Sequence, residues 1–135
     1  MTPSELVAAE SRAWLDKAQE DLQAVRSLIH SGLPAPALFH CQQAAEKSFK
    51  AFLTWHRVAF RKTHDLEEVG AACVALDATM AALVRAAEPL TAYAWRLRYP
   101  GDPYVPEATE ATAALDTADT VYREIVSRLP EVVGV

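Results

Sequence analysis

The chain has 135 residues, of which 51% are apolar and 23% are charged, and its formal net charge is −5. This composition is typical of one globular domain, and the acidic balance argues against a broad basic surface for duplex DNA. No apolar run approaches the roughly 20 residues that span a bilayer, and the first residues lack the basic and apolar regions of a signal peptide, so we expect a cytoplasmic protein without membrane contact.

The N-terminal segment predicts a long amphipathic helix. Thr2, Pro3 and Glu5 supply an N-cap, a proline at the first helical position and a capping-box carboxylate. The pattern continues to Gly32 with a period of about 3.6 residues. Its predicted inward face consists of Leu6, Ala9, Ala13, Ala18, Leu22, Val25, Leu28 and Ile29.

A second helix is predicted from about Ala37 to about Val58, after a break rich in glycine and proline. Its broad apolar face consists of Leu38, Cys41, Ala45, Phe49, Phe52, Leu53 and His56. Opposite that face the spacing i, i+3, i+4 and i+7 lines up a polar stripe. The stripe consists of Gln43, Glu46, Lys47 and Lys50. A solvated face, with Glu46 and Lys50 forming a weak surface pair, is the simpler interpretation of the stripe.

Three further helical patterns follow. Residues 65–68 (DLEE) predict a capping box that opens a helix ending near Leu76. A fourth stretch, from about residue 79 to 99, contains Pro89, which removes an amide donor and therefore predicts a kink or break near Ala87. The last helix is predicted from about Pro106 to Leu129.

No strand pattern competes with these helices, and the connections between them are short. We therefore predict one all-α domain over residues 1–130, an up-and-down antiparallel bundle of about five helices. Residues 131–135 are predicted to form a short, frayed C-terminal tail. Cys41 and Cys73 lie within helical patterns without C-x-x-C spacing, which indicates reduced, buried thiols.

Three short segments carry the most specific motifs of the chain: FHCQQAAEKSFKA at 39–51, KTHDL at 62–66 and LRYP at 97–100. Together they resemble the HEPN family (higher eukaryotes and prokaryotes nucleotide-binding), whose members carry an A-Q-Q-A-x-E-K-x-x-K-A helix, a T-H-D-L turn and an R-Y-P ending. The resemblance covers nearly the whole chain. It implies a HEPN-like helical bundle that takes part in nucleotide or RNA transactions.

The resemblance leaves two functions open. In the ribonuclease branch of the family an arginine is followed, four to six residues later, by the histidine that moves a proton while the arginine holds the phosphate. After Arg98 no histidine falls in that window, and Tyr104 stands there instead. A phenol has a pKa near 10 and is a poor base at neutral pH, about three pH units lower.

The resemblance therefore implies first a binding module, in the form of a homodimer, that acts with a minimal nucleotidyltransferase partner in a toxin-antitoxin-like unit. The alternative is a metal-independent ribonuclease toxin with an atypical site. Its catalytic candidates are Arg98 and Tyr104, and a histidine such as His40 or His64 is a further candidate in space.

Side-chain chemistry suggests which residues contact a ligand. Arginine forks bind phosphate in a bidentate manner, although cations also suit the end of a helix, and tyrosines stack on bases. The candidates for nucleotide or partner binding are Arg98, Tyr99, Tyr104, Arg96, His40, Gln43 and Lys47.

The histidines show no zinc-ligand spacing, and the few glycines form no phosphate-binding loop, so we predict neither a metal nor a cofactor. Of the remaining histidines, His30 is expected to be exposed and His56 to lie in the core. His64 is expected to order the turn together with Asp65.

Overall fold

Five α-helices form the frame of the molecule, and the computed structural model describes them within residues 1–134. They are α1 (Pro3–His30), α2 (Pro34–Trp55), α3 (Leu66–Leu76), α4 (Ala81–Ala87) and α5 (Ala108–Arg128). Shorter 3₁₀ segments cover Ala78–Met80, Glu88–Ala94 and Glu131–Val133. The described residues contain no strand, and the predicted all-α bundle of about five helices is confirmed.

Helix α1 begins at the capping box that the sequence predicts. The Glu5 amide donates to Thr2 Oγ1 at 3.1 Å, and the Thr2 amide donates to Glu5 Oε2 at 2.8 Å. The helix ends at His30, and Gly32 takes a positive φ of 74° in the turn that follows. Helix α2 then starts three residues earlier than predicted, because Pro34 is tolerated in the first helical turn, where its missing amide has no partner to lose.

The inward face of α1 differs from the prediction in its first half. Leu6, Ala9 and Ala13 are exposed. Apart from Asp21, which precedes Leu22, the buried positions are spaced alternately by three and four residues, which keeps one face of the helix against a neighbouring helix. They are Ala8, Ser11, Leu15, Ala18, Asp21, Leu22 and Val25. Alanine is too small to decide which face a helix buries. The buried face of α1 is decided instead by Leu15 and by the packing of α1 against α2.

Helix α2 is the centre of the bundle and contacts α1, α3, α5 and the 3₁₀ segment Glu88–Ala94. Phe49 is fully buried, as its predicted inward position requires. His56, by contrast, is exposed and not in the core, because α2 ends at Trp55 and Arg57 turns the chain away with a φ of 59°. Cys41 and Cys73 are free and buried as predicted, and burial raises the pKa of both thiols to about 12.

The break in the fourth stretch lies where Pro89 predicts it. Helix α4 ends at Ala87, and the chain continues as 3₁₀ helix from Glu88 to Ala94. Helical structure thus ends five residues before the predicted boundary at Tyr99. Leu97 has a left-handed backbone (φ 71°), which is unusual for a residue with a branched side chain and redirects the chain just before Arg98.

The C-terminal end packs against α1 and does not fray within the described residues. Val133 is buried, and the Gly134 carbonyl accepts a hydrogen bond from Arg12 Nη1. Val135, the last residue of the predicted tail, lies outside the described residues. Within residues 1–134, no helix combines the length and the apolar character needed to cross a bilayer.

Candidate functional site

A buried carboxylate joins α1 to two of the candidate residues on α2. The Asp21 side chain is only 9% exposed, and its Oδ1 lies 2.7 Å from His40 Nδ1. Its other oxygen, Oδ2, accepts a hydrogen bond from Lys47 Nζ at 2.7 Å. An ionised carboxylate only accepts, so the Nδ1 of His40 carries the proton, and in the neutral imidazole Nε2 is an acceptor. His40 is one-third exposed.

Asp21 is a residue that sequence reasoning missed. It lies three positions after Ala18, and therefore on the seam that α1 turns toward α2. A carboxylate among apolar positions is a signal in itself, because a buried charge is costly unless it is paired. The sequence shows this signal but does not show which of the cations on α2 pairs with Asp21.

The polar stripe of α2 is not a solvated face. Glu46 and Lys50 are almost completely buried, and Lys50 Nζ lies 3.0 Å from Glu46 Oε2. The ammonium group also lies 5.5 Å from the ring centres of both Trp14 and Phe60. The expectation of a weak surface pair is therefore wrong, because Phe60 and the loop between α2 and α3 cover this part of the helix.

The same loop is held down by hydrogen bonds to α2. His64 Nδ1 lies 2.8 Å from Glu46 Oε1. The buried amide of Gln42 donates to the same oxygen at 3.0 Å and to the His64 carbonyl at 2.9 Å. His64 orders the turn through Glu46 and not with Asp65, whose carboxylate caps α3 by accepting from the Glu67 amide.

Gln43 is partly buried and already engaged. Its Nε2 donates to Gln42 Oε1 at 2.7 Å, which links it to the network under the loop. One of its two amide protons is thus used within the bundle. The other amide proton of Gln43 and its side-chain oxygen are the groups that it can offer to a ligand.

Arg98 presents an exposed guanidinium on an aromatic support. Its Nη1 donates to the Ala94 carbonyl at 2.9 Å, and its Cζ lies 4.6 Å from the ring centre of Phe39. The ring of Tyr99, 68% exposed, is 5.7 Å away. No carboxylate of residues 1–134 forms an ion pair with Arg98. A shallow groove of about 270 Å³ runs beside it, lined by Ala35, Pro36, Phe39, Leu97 and Arg98.

Arg96 and Tyr104 belong to a separate cluster that closes the loop before α5. Arg96 Cζ lies 4.4 Å from the ring centre of Tyr104, and its Nε lies 3.4 Å from Asp102 Oδ2. The Tyr104 hydroxyl donates to Glu110, which also accepts from Tyr93 at 2.6 Å. The hydrogen bond to Glu110 raises the pKa of Tyr104 above its ordinary value, so this phenol is a still weaker acid than usual.

The predicted site is thus divided, and Phe39 joins one part of it. The Phe39 ring supports the Arg98 guanidinium and also makes an edge contact with the His40 ring, with centroids 5.3 Å apart. Arg98, Phe39 and His40 are therefore contiguous, and Lys47 joins them through Asp21. Tyr104 and Arg96 are engaged with each other. Phe39 opens the most specific motif of the sequence, yet nothing local identifies it as the support for Arg98.

A model of the HEPN domain matches residues 11–129. The chain belongs to the HEPN domain family. Membership places this HEPN protein among nucleotide-binding or ribonuclease-like modules.

Two solved structures share the fold of this HEPN protein. The chain is similar to TT1696 from Thermus thermophilus, with 28% identity and a TM-score of 0.76 over 90% of this chain and 99% of that one. ST0689, described as an archaeal HEPN homologue, has 22% identity and a TM-score of 0.73 over 87% of this chain and 96% of its own, and this likeness bears on the fold alone. A comparison with curated proteins finds no match.

Proposed function

We propose that this HEPN protein is a nucleotide- or RNA-associated binding module in which Arg98 holds a phosphate. The observation that supports this function most directly is the Arg98 guanidinium, which lies on the Phe39 ring and has no ion-pair partner among residues 1–134. A guanidinium has five N–H donors, and Arg98 uses one of them, on Nη1, in the hydrogen bond to the Ala94 carbonyl. The remaining donors form a planar fork that suits a phosphate, and the aromatic support limits the entropy lost when a ligand binds.

The acidic balance of the chain restricts the ligand to a small or single-stranded one. With a net charge of −5, long-range attraction to a duplex is absent, so contacts must be local. Tyr99 and Trp95 are exposed close to Arg98 in the chain and offer faces on which unpaired bases stack. Single-stranded RNA or a mononucleotide is therefore the ligand class that we propose.

We further propose that the protein works as a homodimer with a minimal nucleotidyltransferase partner, as a toxin-antitoxin-like unit. Aromatic residues and arginine are enriched in protein interfaces. Trp95 and Tyr99 are both exposed, and the Arg98 guanidinium lies 5.7 Å from the Tyr99 ring centre. This proposal rests on that composition and on the habit of the family. Analytical ultracentrifugation is expected to give a dimer, and a co-expressed nucleotidyltransferase is expected to co-purify. A monomer that retains no partner would refute this part of the proposal.

The ribonuclease alternative based on Tyr104 receives less support. Its hydroxyl is engaged with Glu110, and the raised pKa makes the phenolate, the form that would act as a base, rarer at neutral pH. Arg96 covers the same ring at 4.4 Å. We therefore assign Tyr104 and Arg96 to closure of the loop and not to chemistry.

The binding proposal is tested with a fluorescein-labelled, unstructured RNA in which every ribose is 2′-O-methylated, so that binding is measured without cleavage. Arg98→Ala is expected to weaken binding by about tenfold or more, the value of one or two charge-assisted hydrogen bonds. Arg85→Ala removes the same charge from an exposed position on α4 and is the matched control. An equal loss in both variants, or no loss in Arg98→Ala, would refute the role of Arg98.

A further inference from the structure

The shallow groove of about 270 Å³ beside the Arg98 guanidinium has walls that fit one part of a nucleotide better than the others. We propose that this groove is a base subsite, which takes one unpaired nucleobase of the strand whose phosphate Arg98 holds, without selecting the identity of that base. The inference rests on the proposed function, because it requires the same Arg98 to bind phosphate. The base subsite adds an uncharged contact that is separate from the open faces of Trp95 and Tyr99, since neither of these residues lines the groove.

The walls of the groove are apolar. Only Arg98 brings a charged or hydrogen-bonding side chain to it, and the other lining residues are Ala35, Pro36, Phe39 and Leu97. A phosphate or a ribose hydroxyl pressed against those four side chains would lose hydrogen bonds to water without gaining a partner. A nucleobase has broad faces that stack on apolar and aromatic groups, and the open side of a shallow groove leaves its polar edge in water. The lining therefore favours the base over the rest of the nucleotide.

The size of the groove matches one base. Its volume equals that of about nine water molecules in the liquid, at about 30 Å³ each, and a nucleobase has a similar number of non-hydrogen atoms. Pockets that enclose a drug-sized ligand have volumes of about 300–1,000 Å³. The groove is thus too small for a whole nucleotide, and the phosphate stays outside it, on Arg98.

Phe39 joins the groove to the phosphate-binding group. Its ring lines the groove and also supports the Arg98 guanidinium, whose Cζ lies 4.6 Å from the ring centre. Arg98 itself lines the groove as well. A base in the groove and a phosphate on the remaining donors of Arg98 therefore belong to the same nucleotide or to neighbouring ones. One contact depends on charge and the other on apolar area, so each can be removed separately.

Two separate segments of the chain hold the walls in place. Ala35, Pro36 and Phe39 lie in the first two turns of α2, where the helix fixes their spacing. Leu97 comes from the segment after the 3₁₀ helix and packs against the hydrophobic core. Its left-handed backbone, with a φ of 71°, is a conformation that a branched side chain retains only where its surroundings hold it. The groove is therefore formed before a ligand binds, which limits the entropy that binding costs.

Apolar walls do not distinguish one base from another. Discrimination requires hydrogen-bond donors and acceptors directed at the base edges, whereas every base offers a face for stacking. The four apolar side chains of the groove supply no such donor or acceptor. Affinity is therefore expected to depend on the presence of a base, and to differ by less than about fivefold among unstructured strands of different sequence.

The test compares two fluorescein-labelled strands with the same number of phosphates. One is the unstructured 2′-O-methylated RNA, and in the other a tetrahydrofuran replaces every nucleoside, so that the phosphates remain and the bases are absent. Ala35→Leu fills the groove from α2. It is expected to weaken binding of the RNA by about five- to tenfold, the contribution of one stacked base, and to change binding of the abasic strand by less than about twofold. Ala9→Leu makes the same change at an exposed alanine near the start of α1, away from the groove, and is the matched control, with unchanged binding of both strands.

Leu97→Gly tests the groove by removing a wall instead of filling the space. Glycine adopts a positive φ readily, so the course of the backbone is kept while the side chain is lost. The variant is expected to repeat the result of Ala35→Leu. Arg98→Ala, by contrast, is expected to weaken binding of both strands, because both carry the phosphates. Melting curves of each variant show that it is folded.

Failure of the base subsite can be told apart from failure of the phosphate-binding function. If Arg98→Ala weakens both strands while Ala35→Leu and Leu97→Gly change neither, Arg98 keeps its role and the base subsite is refuted. Equal losses for the two strands in the groove variants, or equal affinity of the wild type for both strands, would refute it as well. If the wild type binds neither strand, or if Arg98→Ala changes neither, the proposed function is wrong and the base subsite is refuted with it.

Discussion

Replacing Lys50 with methionine distinguishes a buried ion pair from a solvated one. The side chains of Lys50 and Glu46 are 7% and 5% exposed, and they lie 3.0 Å apart. Methionine is an unbranched apolar side chain of similar length, and it can reach the position where Lys50 Nζ lies 5.5 Å from the ring centres of Trp14 and Phe60, so the change removes mainly the charge. Glu46 is then a buried carboxylate without its cation.

The expected loss of stability follows from the burial of this ion pair. An exposed pair at i, i+4 stabilises a helix by about 0.2–0.5 kcal/mol, whereas removing one partner of a buried pair costs about 3–5 kcal/mol. Glu46 retains the contacts with His64 at 2.8 Å and Gln42 at 3.0 Å, which places the expected loss near the lower end, at about 3 kcal/mol. A domain of this kind has a total stability of about 5–15 kcal/mol, so the loss is a large share of it.

Urea denaturation followed by circular dichroism measures the effect. With a typical slope of about 2 kcal/mol per molar, the midpoint is expected to fall by about 1.5 M. Lys17→Met is the matched control, since Lys17 pairs with Glu20 at 3.4 Å and both side chains are about two-thirds exposed. Its effect is expected to stay within about 0.5 kcal/mol. If Lys50→Met were as mild as Lys17→Met, the buried network would be refuted.

Three further predictions concern the core. Phe49→Ala is expected to cost about 3–5 kcal/mol in the same assay, because the ring is fully buried, and an unchanged stability would contradict the inward face of α2. Gly70→Ala places a Cβ closer to Val84 Cγ1 than van der Waals contact allows, so it should destabilise the wild type. In a Val84→Ala background only the Cβ of residue 84 remains close, at 3.3 Å, so the loss should be much smaller there; equal effects in both backgrounds would exclude the clash. Cys41 and Cys73 are expected to react with a thiol reagent at pH 8 only as fast as the protein unfolds. Because burial raises the pKa of both thiols from 9.0 to about 12, unfolding releases protons between these values, and the stability of the protein falls as pH rises from 9 to 12. Rapid labelling, or a stability that rises in this range, would argue against their burial.

Much of the fold was predictable because its signals are local. The capping box of Thr2 and Glu5 and the break at Pro89 each depend on neighbours within one helical turn. The errors occur where residues within one helical turn do not decide the structure. The predicted inward face of α1 counted alanines, which fit either side of a helix, and His56 was assigned to a face of α2 that ends one residue earlier.

The candidate site was predictable only in part. The motif residues His40, Lys47 and Arg98 are visible in the sequence, but Asp21, the carboxylate that joins two of them, lies 19 residues before His40. Phe39 lies far from Arg98 along the chain and supports it only after the 3₁₀ segment returns to α2. Tyr104 was a catalytic candidate by position, and its partner Glu110 became apparent only in the folded loop.

The sequence by itself determined the number of helices, the cap of α1, the break at Pro89 and the resemblance to the HEPN family, because caps, prolines and motif letters act over a few residues. The tertiary structure alone decided which polar side chains are buried and which are free. Glu46 and Lys50 follow the same spacing as a surface pair, and only the loop that covers them turns them into a buried one. Arg98 stays available because no carboxylate of the described chain reaches it, and the free energy of a charge depends on such neighbours and not on its own position in a helix.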